Sequence, residues 1–148
     1  MKWKKFSKAE NGAAAIEFAV IGAFLCMTVV ATGDLGMGFY SYMQVQNSAQ
    51  AGAQYAAVHG FNSGQIASAV TNATSVAGIT ASPAPAQYCG CASGATVSNA
   101  ACGTTCPDGM TAGTYVTASA VRDYTTLVSW PMFPDSYHQT ATSTVRIQ

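Results

Sequence analysis

The chain has little charge. Of its 148 residues, 8% are Asp, Glu, Lys or Arg, and none of these lies between Asp34 and Asp108. Basic residues are scarcer still past the opening: after Lys2, Lys4, Lys5 and Lys8 only Arg122 and Arg146 follow. Nucleic-acid binders need a basic surface to neutralise phosphates, so nucleic acid is excluded as a partner. Residues 1–12 set four lysines against Glu10, a balance of +3, and residues 13–148 set two arginines against five acids, a balance of −3. The uncharged stretch is filled with Ala, Gly, Ser, Thr and Asn. That is neither charge-swollen disorder nor an ordinary cytosolic surface, and it points to export.

Catalytic equipment is equally sparse. There are two histidines, His59 and His138, and no HExxH, GxSxG or phosphate-binding loop. A nucleophile pair can be drawn from Cys106 and His138, but paired cysteines explain Cys106 more simply, so the chain reads as a non-enzyme with no cofactor. Pro107–Gly109 is a turn before it is a calcium loop, since one Asp does not make an ion site. Asn72 opens a formal glycosylation triplet, inside a predicted helix. No internal repeat is present, and a chain of this length forms one small domain at most.

What is abundant is apolar sequence near the start. Ala13 to Thr32 is a run of twenty residues whose only charge is Glu17, long enough to cross about 30 Å of hydrocarbon as a helix. Lysines precede it and nothing basic follows until Arg122, so the positive-inside bias puts residues 1–12 in the cytoplasm and the bulk of the chain outside. A cleaved signal peptide has a shorter apolar core and a small-x-small site, which "TVVATG" matches poorly. Proline-free sequence with helical spacing continues through Leu35, Phe39, Tyr42 and Val45 to small residues at Ala49, Gly52, Ala53, Ala56 and Ala57. Taken together, Ala13 to Val58 forms one helix of 46 residues, about 69 Å long. Gly33, Gly36 and Gly38 predict bending or local unwinding in its middle, and Gly60 a stop. Ala49, Gly52, Ala53 and Ala56 form a packing stripe, either for another helix or for the protein's own head.

Asn62 or Ser63 caps a second helix, with Ile66, Ala69, Val70 and Ala73 on one face and an end near Gly78. "ASPAPAQ" breaks the chain. Thr/Val/Tyr-rich stretches predict strands at about Tyr115–Tyr124 and Gln139–Gln148, with a weaker one near Gln87–Cys91. The fold class is therefore α+β: a long N-terminal helix followed by a head with a short helix and an antiparallel sheet. Residues 1–12 form a leader, 13–34 a transmembrane segment, 35–60 the continuation of its helix and 61–148 the head.

Cys26 lies inside the apolar run, and Cys89, Cys91, Cys102 and Cys106 cluster in the head. An even set in a small exported region reads as two disulfides that staple a thin core. A four-thiolate zinc site is the rival, although the spacing is not that of CxxC knuckles. Three pairings are open; Cys89 to Cys91 is disfavoured by the strain of one intervening residue. Both bridges are expected to run from Cys89 and Cys91 to Cys102 and Cys106.

Glu17 has a plain explanation: a carboxylate in the first two helical turns suits the dipole and snorkels to the interface. Its surroundings add another. Gly12 immediately precedes the run, Glu17 is the fifth residue after it and Phe18 follows. "GAAAIEF" resembles the processing site of type IV pilin-like proteins. Residues 11–57 as a whole resemble the N-terminal signature of the TadE-like family, minor pseudopilins of Flp/Tad tight-adherence pili. Gly12, Ile16, Glu17, Phe18 and Ala19 match its opening, Gly33, Asp34 and Gly36 its glycine-and-acid step, and Asn47, Ala49, Gly52, Ala53, Tyr55, Ala56 and Ala57 its small-residue ending. The chain lacks the proline common after the Glu-aromatic pair, with Gly22 in that region, and carries Met37, Gln50 and Gln54 where relatives hold arginines.

The resemblance implies cleavage by a prepilin peptidase between Gly12 and Ala13. The new Ala13 amine and Glu17 would then serve assembly, the Glu17 of one subunit meeting the amine of its neighbour. It also implies a single-pass protein of the bacterial inner membrane. Its partners would be other pilins or pseudopilins and Tad assembly proteins. The alternative from another class is a signal-anchored envelope protein whose stapled head binds a partner.

Overall fold

A computed structural model of the chain describes residues 10–129 and 134–147, with side chains from Gly12 onward. The lysines of the leader, and Gln148 at the end of the last predicted strand, lie outside the described residues. The elements run α1 (Glu10–His59), α2 (Ser63–Thr71), β1 (Ala86–Ser93), β2 (Thr96–Asn99), β3 (Gly113–Thr125) and β4 (Ser136–Arg146). Two compact units divide at Met37 and Gly38, and α1 contributes to both.

The α-helix of 50 residues bears out the long rod. It also corrects the expectation of unwinding at Gly33, Gly36 and Gly38, where the helix is unbroken. Each glycine costs about 1 kcal/mol relative to Ala, but a break would orphan about four N–H and four C=O groups at the new ends. Continuity is the cheaper arrangement. At Gly60 the helix stops as expected: φ is +79°, and its N–H bonds the Ala56 carbonyl at 2.9 Å.

In the second unit, α2 is capped by Asn62, whose Oδ1 accepts the Gln65 N–H at 3.1 Å, and it buries Ile66 and Val70. It ends at Thr71 with Asn72 as C-cap, seven residues before the expected Gly78. The segment beyond opens with Asn72, Thr74 and Ser75, and hydroxyls already compete for helical carbonyls here: Thr71 Oγ1 donates to Ser68 O at 3.2 Å.

The sheet is antiparallel in the order β2-β1-β3-β4. β3 and β4 stand where β-branched and aromatic residues place them, and β1 covers the weaker strand expected near Gln87–Cys91. β2 has no counterpart in the sequence reading, because its four residues, "TVSN", include one apolar side chain. Its signal is the turn: Ser93 pairs with Thr96 around Gly94, whose φ of +60° suits a two-residue hairpin.

Val45, Ala49, Ala53 and Ala56 of α1, Ile66 and Val70 of α2, Ile79, and Val116, Ala118 and Ala120 of β3 make the core. Half of these ten are alanines, so the layers approach closely and bury little hydrocarbon. Gly52 marks the closest approach. A Cβ there would meet Val70 Cγ2 and stand 3.0 Å from Ala118 Cβ.

Candidate functional site: an apolar helix and a stapled head

In the first unit the helix is apolar on every side. Ile16, Phe18, Val20, Ile21, Phe24, Leu25, Met27 and Val29 are all more than half exposed, whereas an amphipathic helix would hide one stripe. Among the described residues this is one helix long and apolar enough to cross a membrane. Its polar side chains are provided for internally: Thr28 Oγ1 donates to the Leu25 carbonyl at 2.8 Å and Thr32 Oγ1 to the Thr28 carbonyl at 2.7 Å. Such bonds leave no hydroxyl unsatisfied in a medium without water.

Gly12 and Ala13 sit in the first turns of α1, both exposed. Glu17 is exposed one turn beyond Ala13, about 6 Å along the axis, and Phe18 is 79% exposed. Gly12, Ala13 and the Glu17 carboxylate thus share one accessible end of the apolar segment. Cys26, a free thiol, is exposed further along the helix, and Asp34 is buried.

The small-residue stripe has a different setting. Ala49, Ala53 and Ala56 are at most 4% exposed, and Gly52 faces Val70, Ala118 and Ile66. Of the two uses open to this stripe, the structure fills it with the protein's own α2 and β3. A polar clamp holds the same helix further down. Arg122 Nη1 donates to Ser41 Oγ at 2.8 Å, Ser41 Oγ donates to Gln139 Oε1 at 2.6 Å, and Gln139 Nε2 donates to the Gly38 carbonyl at 3.0 Å. No local pattern announces this clamp, because Ser41 and Arg122 are 81 positions apart.

Both expected staples are formed and run from β1 to the loop between β2 and β3. Cys89 pairs with Cys102 and Cys91 with Cys106, so the bridges interleave, and the sulfurs are not thiolates available to zinc. The bridge on Cys106 also removes the thiol that a nucleophile pair with His138 would use. His138 Nδ1 instead lies 2.7 Å from Asp123 Oδ1 in an exposed pair, and His59 stacks on Tyr55 at 4.3 Å between ring centroids. Pro107–Gly109 forms the expected turn, with Asp108 Oδ1 accepting the Met110 N–H at 3.0 Å and Gly109 at φ +81°.

An apolar helix that continues into a small disulfide-stapled α+β head defines a class: proteins able to be held in a membrane by one anchor while presenting a head. Within it, residues 12–54 match the family model described as TadE-like protein, nearly the span over which the sequence resembles that family. That family is structural and linked to the Tad pilus. No curated protein and no solved structure matches the chain.

Proposed function

We propose that the chain is a minor pseudopilin, a structural subunit that joins or assists assembly of a Flp/Tad-type pilus after a prepilin peptidase cuts between Gly12 and Ala13. The observation that carries this reading is the spacing of Gly12, Ala13, Glu17 and Phe18 at the exposed start of a helix with no buried face through its apolar segment. Before assembly the subunit is held in the bacterial inner membrane by residues 13–34, with residues 1–12 cytoplasmic, 35–60 continuing the helix and the head, residues 61–148, outside. Cleavage frees an amine at Ala13. A neighbour's Glu17 then pairs with it, since each charge alone is costly in hydrocarbon. Other pilins, pseudopilins and Tad assembly proteins are the partners.

Processing is tested by replacing Gly12 with a bulky residue, Gly12→Trp, and co-expressing the chain with the cognate peptidase. The unaltered chain is expected to begin at Ala13 by mass and N-terminal sequencing, and the variant to stay full length. A variant that still loses the leader places the cut elsewhere. An unaltered chain that keeps its leader favours the anchored envelope protein instead.

A further inference from the structure

The two edges of the sheet differ. On one side β2 is four residues long and leads into the stapled loop. On the other, β4 pairs with β3 in an unbroken register from Ser136↔Thr125 to Arg146↔Tyr115, eleven positions without a bulge. No described strand lies beyond it.

Hydrogen-bond parity shows where the remaining backbone groups of β4 point. The Ile147 N–H bonds the Thr114 carbonyl and the Thr126 N–H bonds the Asp135 carbonyl, each at 2.9 Å. In an antiparallel ladder bonded and non-bonded pairs alternate, so Tyr137, Gln139, Ala141, Ser143 and Val145 turn their N–H and C=O groups toward β3. His138, Thr140, Thr142 and Thr144 turn theirs outward along the open edge.

Long edges are normally protected by lysine, proline, bulges or covering segments. β4 contains no lysine or proline, and from Gln139 to Val145 it carries no charge. Beside it lies a groove of about 340 Å³, lined by Tyr42, Gln46 and Gln50 of α1 and by residues 140–143 of β4. Its lining carries amides, hydroxyls and no ionised group. Side chains of an added strand would enter this space at every second position.

We propose that the open edge of β4 is a docking site for an extended, uncharged, hydroxyl- and amide-rich segment of a different protein chain, which adds to the sheet as a fifth strand. The outward N–H and C=O groups require an extended backbone as occupant. From Gln139 to Val145 the uncharged edge and groove select against ionised side chains, whose desolvation no charge in that stretch would compensate. A second copy of β4 has suitable composition but unsuitable symmetry. Antiparallel self-pairing needs a two-fold axis normal to the sheet, and that axis reverses any helix lying flat on it. Residues 38–59 of α1, packed on β3, would run in opposite directions in the two copies, whereas subunits of one fibre, on the function proposed above, all point the same way.

The test is amide hydrogen exchange on the full chain in detergent micelles, titrated with a capped peptide of alternating Thr and Gln. Exchange at His138, Thr140, Thr142 and Thr144 is expected to slow about tenfold or more, as for amides entering a ladder. The same peptide with lysine at every second position should have no effect. Thr142→Pro removes an outward N–H without touching a bond to β3, so it should abolish the slowing while Ala141 and Ser143 stay protected. If it also releases those two, the double variant Thr140→Lys with Thr142→Lys replaces it and must abolish the slowing instead. No slowing at millimolar peptide, equal slowing by the lysine peptide, or strong protection of the four amides in the free chain each overturns the proposal. Protection that rises with chain concentration alone assigns the edge to a second copy and overturns it too.

Discussion

At the scale of single residues, Glu17 separates an assembly subunit from a tether. It is exposed, one turn from Ala13, in a segment otherwise without charge from Gly12 to Thr32. Were it only a helix-start carboxylate, Glu17→Gln would change stability by about 0.3–1 kcal/mol and leave assembly intact. If, as proposed, it partners a neighbour's amine, it compensates a charge whose isolation in hydrocarbon costs several kcal/mol per contact. The expected outcome is normal insertion and processing, with loss of the variant from sheared pili and from its assembly complex. Recovery equal to that of the unaltered protein at matched membrane abundance would remove the pairing role. The place of Glu17 near the exposed start of an apolar helix was legible from the sequence because the run around it is local. Arg122 was not, since its partner Ser41 is brought to it only by the packing of helix on sheet.

At the scale of elements, the fit of α1 against α2 and β3 depends on the absence of a side chain at Gly52. Gly52→Ala would gain roughly 1 kcal/mol of helix propensity, but the new methyl would collide with Val70 and press on Ala118. Overpacking of this kind typically costs about 1–3 kcal/mol. The variant is therefore expected to lower the denaturation midpoint of the head, and pairing it with Val70→Ala should recover part of the loss. A rise in the midpoint for Gly52→Ala alone would show that the layers can separate without cost. Small residues at helical spacing could be read from the sequence, and so could the helix that carries them, since it lacks proline throughout. Their partner could not be read. A stripe of Ala and Gly fits any close neighbour, and only the fold places Ile66, Val70 and Ala118 there. The same reasoning explains the missed β2 and the overlong α2: short elements depend on a turn or a cap more than on periodicity.

At the scale of the whole molecule, interleaved bridges support a head whose core is half alanine. They close loops with sequence separations of 13 and 15, each contributing about 3 kcal/mol in the chain-entropy account. Domain stability is usually about 5–15 kcal/mol in total, so their joint loss is a large fraction of it. Replacing Cys102 and Cys106 together by Ser is expected to unfold the head or shift its urea midpoint strongly, while the helicity of residues 12–37 persists. The measurement is denaturation followed by near-UV and far-UV circular dichroism in detergent. A midpoint unchanged by the double replacement would mean that the packed layers suffice alone.

The alanine-rich core also bears on how the head responds to heat and cold. The heat-capacity increment of unfolding rises with the apolar area newly exposed to water and falls with the polar area. A core of five alanines in ten positions, under a sheet rich in threonine, exposes little of the first and much of the second. Its stability curve is therefore shallow, with enthalpy and entropy of unfolding that drift slowly across temperature. Crosslinks raise such a curve through the entropy of the unfolded chain without adding hydrocarbon to the interior. The head is thus insulated from the weakening of the hydrophobic effect on cooling.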